Sequence, residues 1–187
     1  MPGRPHILKA GTVLQNRYRV LDVLDVLDVL DVLGGMSTVY KACDLRFTSV
    51  DRACAVKEMF NSGEDPKIRQ LRLSNFQREA ALLATLTHSA IPRIYDSFEQ
   101  QGTISLVLEL IHGNDLETLL SQRGEAFEEK TVVSWAIRLS SVMIYLHNQQ
   151  PESIIFRDLK PSNVMIQAEY EALRLVDFGI ARSFAPQ

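Results

Sequence analysis

Apolar and polar positions along this chain change period several times, and each change predicts an element. Residues 1–16 hold two prolines and two glycines with little patterning, and read as an irregular lead-in. From Tyr18 the chain turns strand-like. Two more strand-like runs, 38–43 and 54–59, follow Gly34-Gly35 and are joined by a polar connection around Asp51-Arg52. Residues 61–66 have loop chemistry. Ser74 with Gln77 three residues on has capping-box spacing and predicts that a helix opens there. Phe76, Ala80, Leu83 and Leu86 then recur at steps of three or four, and 88–92 ends the pattern. Residues 104–110 form a nearly unbroken apolar strand closed by a Gly113-Asn114 turn. A long helix is predicted over 128–147, with acids in its first turn and Val132, Trp135, Leu139, Val142 and Leu146 on one face. Short strands follow at 154–155, 164–166 and 173–176. A β-rich first half followed by a helix and short hairpins predicts an α+β class with two lobes.

One stretch fits neither structural period. Leu21-Asp22-Val23 recurs three times, as 24–26, 27–29 and 30–32. On a strand successive aspartates would alternate faces; on a helix they would drift by about 60° per copy. At most one or two copies are therefore expected to lie as regular strand, with the others bulging, looping out or fraying. The run is far shorter than the units that stack in solenoids, and reads as a local duplication.

Composition adds mainly exclusions. Of 187 residues, 46% are apolar and 23% charged, ordinary values for a soluble globular chain. The net charge is −3, and it would be slightly positive without the four repeat aspartates, so charge does not point to a nucleic-acid partner. Cys43 and Cys54, without metal-ligand spacing, exclude a disulfide scaffold and a cysteine zinc site. No run resembles a secretory signal or a membrane span, and a cytoplasmic location is expected.

The chemistry concentrates in the last third: Arg157-Asp158-Leu159-Lys160-Pro161-Ser162-Asn163, then Asp177-Phe178-Gly179. Phosphoryl transfer from a nucleotide needs a carboxylate to accept the proton of the attacking hydroxyl. It also needs hard oxygen ligands for a divalent ion and a fixed cation near the transferred group. Asp158, Asn163, Asp177 and Lys160 supply that set. Either motif alone could be a polar turn or a strand end; both, in this order between apolar strands, favour the chemical reading.

With these motifs the chain resembles the N-terminal two-thirds of a eukaryotic-type serine/threonine protein kinase domain of the bacterial kind, from about Tyr18 onward. The resemblance implies a bilobal kinase fold with a complete N-lobe and a truncated C-lobe. It divides the chain into the lead-in 1–16, an N-lobe 17–107 containing the repeat 21–32, and a hinge and partial C-lobe 108–187. It implies Asp158 as catalytic base, Lys160 at the γ-phosphate, and Asn163 and Asp177 on Mg²⁺, with Mn²⁺ as the alternative ion. Ala55-Val56-Lys57 resembles the strand motif whose lysine grips the phosphates, and Glu79 is its matching partner. Leu108 takes the gatekeeper position, Glu109-Leu110-Ile111 the adenine-binding hinge, and Asp115 the ribose. Val39 and Ala55 would cover the adenine from above, and Leu116 and Met165 from below. Leu83, Ile94, Phe156 and Phe178 match the column that links the lobes. The implied partners are ATP and a protein with a Ser or Thr acceptor.

Three departures qualify the resemblance. In the glycine-rich loop, Ser37 takes the third glycine position, Gly34 the second with Gly35 beside it, and Val32 the first. A residue with a Cβ at the opening turn hinders the backbone from folding over phosphates. Asp28 and Asp31 are expected near those phosphates, where one charge pair at about 6–8 Å and an effective dielectric of ~20 costs roughly 2–3 kcal/mol before screening. Second, Phe156 replaces the usual histidine, an exchange an aromatic column tolerates. Third, the match stops ten residues after Asp177, short of the peptide-substrate platform, which leaves Arg157 without its usual phosphorylated partner and an apolar face on the long helix. A second reading stays open beside the enzyme: a truncated, weak or inactive kinase fragment that binds ATP or a partner protein.

Overall fold

The computed structural model describes residues 7–29, 35–46, 49–59, 66–167 and 172–184. The chain divides into two compact units. Unit 1 comprises Met1–Ala84 and Arg93–Leu110, and unit 2 Thr85–Pro92 and Ile111–Gln187.

Among the described residues, unit 1 holds a six-stranded antiparallel sheet and one helix. Its strands are β1 (Val13–Leu14), β2 (Tyr18–Val29), β3 (Gly35–Asp44), β4 (Ala53–Met59), β5 (Ile94–Gln100) and β6 (Thr103–Glu109), in the order β1-β2-β3-β4-β6-β5. Alternation along the strands buries two separate sets of side chains. One face carries Tyr18, Val20, Tyr40, Ala42, Cys54, Val56 and Val107, with Leu8, Val23 and Phe98 against them. Burial there pushes the Cys54 thiol up to about 12, so it behaves as a small apolar residue. The other face carries Met59 and Leu106, packed on Phe76 of helix α1 (Pro66–Thr85), with Leu73, Ala80, Ile104 and Leu108 around them.

Helix α1 begins eight residues before the expected capping box. Pro66 occupies its first position, where a missing N–H costs nothing, and Ser74 and Gln77 lie inside the helix. Arginine, leucine and lysine after Pro66 favour helix and extend it in the N-terminal direction. Strand β5 was not expected at all. It forms a hairpin with β6 through Gln101-Gly102, both at positive φ (53° and 79°), as a two-residue primed turn requires. The lead-in is also less irregular than its composition suggests, because Val13–Leu14 pairs with Tyr18 and Arg19 and Leu14 is buried.

The first residues of β2 are firmly held. The Arg17 guanidinium donates to Asp44 Oδ1 (3.0 Å) and Oδ2 (2.9 Å) and to Asp96 Oδ2 (2.6 Å). The Tyr18 hydroxyl donates to the same Asp96 oxygen at 2.7 Å, and its ring stacks on Phe98. The hydrogen bonds from Arg17, joined by those from Arg46, hold the Asp44 carboxyl well below the usual carboxylate range.

Beyond that anchor, the sheet solves the repeat's period by bulging. Val20 pairs with Ala42, Asp22 with Lys41, Val23 with Tyr40, Asp25 with Val39 and Val26 with Thr38; the register shifts at Leu21 and again at Leu24. Each bulge removes one leucine from the count, so a three-residue repeat becomes a two-residue strand repeat of Val and Asp. The skipped Leu21 and Leu24 are 40% and 49% exposed. After Val26 the pairing continues unbulged, Leu27 with Ser37 and Asp28 with Met36. Of the three described copies, 21–23 and 24–26 carry bulges and only 27–29 pairs as regular strand, as expected of a period that fits no strand. Asp31 and the fourth copy fall outside the described residues.

Unit 2 contains β7 (Asn114–Asp115), α2 (Leu116–Arg123), α3 (Glu129–His147), β8 (Ser153–Ile155), a 3-10 turn (Pro161–Asn163), β9 (Val164–Gln167), β10 (Ala172–Leu175) and β11 (Arg182–Phe184). The strands form two small antiparallel sheets, β10-β9-β7 and β11-β8. Helix α2 escaped the sequence reading although its signals were present: Asp115 caps its start, and Gly124, left-handed at φ 68°, ends it. On α3, Val142 and Leu146 are buried and Trp135 and Leu139 half-buried, whereas Val132 is exposed, unlike the expected stripe. A second stripe of Val133, Ala136, Ile137 and Ile144 is also exposed. The segment 85–92 belongs to this unit: the Thr87 amide donates to the Tyr145 hydroxyl (2.8 Å), His88 packs on the Tyr145 ring, and the Leu175 amide donates to Ala90 O. Among the described residues no helix is long and apolar enough to cross a membrane.

Candidate functional site

In unit 1 the strand register sorts the sequence candidates onto one face. Val39 pairs with Lys57 and Lys57 with Leu106; Lys41 pairs with Ala55 and Ala55 with Leu108; Ser37 pairs with Met59. Residues paired across antiparallel strands share a face, so Ser37, Val39, Ala55, Lys57 and Leu108 all lie on the α1 side of the sheet. The register also puts Asp25 opposite Val39, in the Lys57 row, and Asp28 opposite Met36, in the alternate row.

Lys57 on β4 and Glu79 on α1 meet in this row. Lys57 Nζ lies 2.8 Å from Glu79 Oε1 and 3.0 Å from Oε2, and both residues are buried, at 7% and 4% exposure. Two charges out of water persist only with such close partners. Ser37 is buried as well, and its hydroxyl has no hydrogen-bond partner among the described residues. Such a group fits a ligand that supplies an acceptor. Gly34 and Val32 lie outside the described residues, and Gly35 begins β3 opposite Val29.

At the end of β6, the Glu109 amide donates to Arg93 O (2.8 Å), and its carboxylate accepts from the Arg93 amide (3.2 Å). Glu109 is thereby tied to the segment before β5. Ile111 opens unit 2.

In unit 2 the motif 157–163 folds on itself. Asn163 is buried, and its Nδ2 donates to Asp158 O (2.9 Å) and to Asp158 Oδ2 (2.8 Å). Lys160 Nζ lies 3.0 Å from the same Oδ2, and the Asn163 amide donates to Lys160 O. With both amide hydrogens spent on Asp158, Asn163 keeps its Oδ1 as the oxygen available to a cation. The Val176 amide donates to Asn163 O at 2.9 Å, which brings the residue before Asp177 against Asn163. Asp177 has φ 63°, and its Oδ1 accepts from the Gly179 amide (3.2 Å). Phe178 then packs edge-on against Phe156, centroids 5.0 Å apart and both buried, so the aromatic that replaces histidine does keep this contact. Arg157 is exposed with φ 70°. Leu83 and Ile94 are in unit 1, where Ile94 joins the α1-side core.

Asp115 serves a purpose not anticipated: Oδ1 accepts from the Thr118 amide (2.8 Å) and Oδ2 from its hydroxyl (2.7 Å). Burial alone would raise the carboxyl, but these bonds and neighbouring amides hold it below its ordinary value. Met165 on β9 pairs with Asp115, and Leu116 follows as the first residue of α2. Gly113, which the sequence reading treated as part of a turn, is a second missed position. At φ +139° a Cβ there would lie 2.2 Å from Ile166 O, so only glycine lets β7 approach β9. Its signal in the sequence was merely a glycine before a capping aspartate.

The donor set suits a small hard cation in part. Asn163 and Asp177 are oxygen ligands, and no group of three or more His, Cys, Asp or Glu that could hold a metal occurs among the described residues. A pair of protein oxygens is what Mg²⁺ takes when phosphates and water complete its shell.

Residues 33–187 match the protein kinase domain family. The chain belongs to that family. Over 172 residues it is 34% identical to the serine/threonine-protein kinase PknA of Nostoc sp., covering 91% of this chain and 28% of that protein. Serine/threonine-protein kinase B of Synechocystis sp. is 28% identical over 151 residues, 80% of this chain and 25% of that protein. The chain thus spans about a quarter of the length of these curated relatives. Among solved structures, the apo form of PpkA-294 superposes with a TM-score of 0.75 at 23% identity, covering 92% of this chain and 62% of that one. The kinase resemblance read from the motifs and the α+β kinase fold both hold.

Proposed function

We propose that the protein is an ATP-dependent protein serine/threonine kinase that uses Mg²⁺ or Mn²⁺. The observation that carries this reading is the knot in which Asn163 and Lys160 converge on one oxygen of Asp158. It fixes a carboxylate, a cation and a metal-capable amide within six residues, a combination that a structural turn does not need.

In this reading Lys57, held by Glu79, binds the α- and β-phosphates, and Ser37 Oγ offers a donor to the phosphate chain. Gly34 and Gly35 let the backbone approach the phosphates. Val39, Ala55, Leu116 and Met165 contact the adenine, the backbone of Glu109 and Ile111 hydrogen-bonds it, and Leu108 limits the depth of its pocket. Asp115, spent on capping α2, reaches the ribose only through lone pairs left over from Thr118. Asp158 accepts the proton of a Ser or Thr hydroxyl as its oxygen bonds to the γ-phosphorus and the bond to ADP breaks. Lys160 balances charge on the transferred group. The divalent ion, held by Asn163 and Asp177, would neutralise the phosphate oxygens. The domain division at residues 16–17 and 107–108 belongs to the same reading. Two free cysteines, Cys43 and Cys54, suit a reducing, cytoplasmic setting.

A second reading has its own support in the exposed α3 stripe of Val133, Ile137 and Ile144: a module that binds nucleotide or a protein partner without turnover. One paired experiment separates them, the melting temperature with and without Mg-ATP and phosphate transfer to a generic basic protein. A shift with transfer is expected. A shift alone supports the binding module, and neither refutes nucleotide use. Asp177→Asn should abolish the metal-dependent part of the shift, and its persistence would overturn the metal assignment.

A further inference from the structure

The first residues of β2 are fixed to β3 and β5, and the nine that follow repeat one triplet. In the described register Leu21 and Leu24 bulge, Asp22 and Asp25 oppose Lys41 and Val39, and Val23 and Val26 oppose Tyr40 and Thr38. Sliding the triplets by one copy would place Asp25 and Asp28 opposite Lys41 and Val39. Val26 and Val29 would oppose Tyr40 and Thr38, and Leu24 and Leu27 would take up the bulges. Every position of β3 from Thr38 to Lys41 then meets the same residue type as before. A slip of one residue has no such property, because it would exchange Val for Asp or Leu in the row of Tyr40, a residue with no exposed surface. Only whole copies are interchangeable.

Tyr18 and Val20 cannot follow the slide. Both are 1% exposed, and the Arg17, Asp44 and Asp96 hydrogen bonds hold that end. The displaced copy therefore leaves the sheet between Val20 and Asp25, and the connection from β2 to Gly35 shortens by the same three residues. Loop-closure entropy varies slowly with length, so moving a triplet from one connection to the other changes the balance little.

We propose that β2 exchanges between two pairing registers one Leu-Asp-Val copy apart. The exchange does not rest on the proposed function.

Cysteine pairs in the full chain, with Cys43→Ala and Cys54→Ala as background and no nucleotide present, read the register directly. Asp25→Cys with Val39→Cys reports the described register, and Asp25→Cys with Lys41→Cys the slid one. In a fixed register the second pair is diagonal, about 7–8 Å apart and beyond disulfide reach. Mild oxidation is expected to close both pairs. A control, Arg19→Cys with Lys41→Cys, is diagonal in the anchored segment and should stay reduced. Closure of the Val39 pair alone, or of the control as readily as the Lys41 pair, overturns the proposal. Should these variants fail to fold, relaxation dispersion on the unmodified chain decides. Exchange at the amides of residues 39–42 is expected, and its loss on breaking copy identity with Leu24→Thr and Asp25→Lys. Flat profiles in the unmodified chain, or exchange that survives the substitutions, overturn the proposal.

Discussion

The Lys57–Glu79 pair of unit 1 and the Asp158–Asn163 knot of unit 2 do comparable jobs by opposite means. The first joins residues 22 apart in sequence, one on a central strand and one on a helix, and both are buried. It exists only if sheet and helix pack correctly. The second joins residues five apart through a loop, and its Lys160 and Asp158 side chains are 51% and 27% exposed. It needs little beyond its own turn. Position in the first is a product of the core; in the second it is a product of local hydrogen bonding. The two should therefore fail differently.

The largest effect is expected from Glu79→Ala, which removes the carboxylate paired with the buried Lys57 ammonium. Chemical denaturation should show a loss of about 3–5 kcal/mol, with the apolar double variant Lys57→Met, Glu79→Leu recovering most of it. A loss as large in the double variant would mean that packing, not charge, is at stake.

A smaller effect, again confined to unit 1, comes from acid. The Asp44 carboxyl is held below its ordinary 3.8 by Arg17, so the folded state binds that proton less readily than the unfolded state. Its contribution is full above pH 3.8 and is lost as pH falls through and below that value. The melting temperatures of the natural chain and of Asp44→Asn should differ most at neutral pH and converge in acid. A constant gap would contradict this.

The smallest is Asn163→Ala, which removes one hydrogen bond to the partly solvated Asp158 carboxylate and one to the Asp158 backbone carbonyl. Hydrogen exchange should report a loss of about 1–2 kcal/mol, local to residues 158–164, with protection in β3 and β4 unchanged.

The same contrast explains what was legible in the sequence. The 157–163 motif could be read because its partners are neighbours, and its hydrogen bonds follow from residue order. Lys57 and Glu79 were legible only through family resemblance, since no local rule links a strand lysine to a helix glutamate. Helix α1 was started too late because a capping-box spacing occurs by chance inside a helix, whereas Pro66 marks the true first turn. Strand β5 and helix α2 were missed for lack of weight given to single glycines: Gly102 in the hairpin turn and Gly124 after the helix. The double role of Asp115 was hidden because capping and ribose recognition ask for the same residue type. The repeat's mismatch with period two was legible and predicted bulging; that the bulges fall on Leu21 and Leu24 was not, because it depends on which residues of β3 they face.

Those bulges carry a genetic corollary. A polymerase that stutters over this stretch adds or drops whole triplets, and each one keeps the reading frame. Where each copy carries a bulge, the valine of every copy also keeps the same row, as Val20 and Val23 do opposite Ala42 and Tyr40. The chain can thus inherit a longer or shorter hairpin in discrete steps, where almost any other insertion into a sheet would turn it inside out.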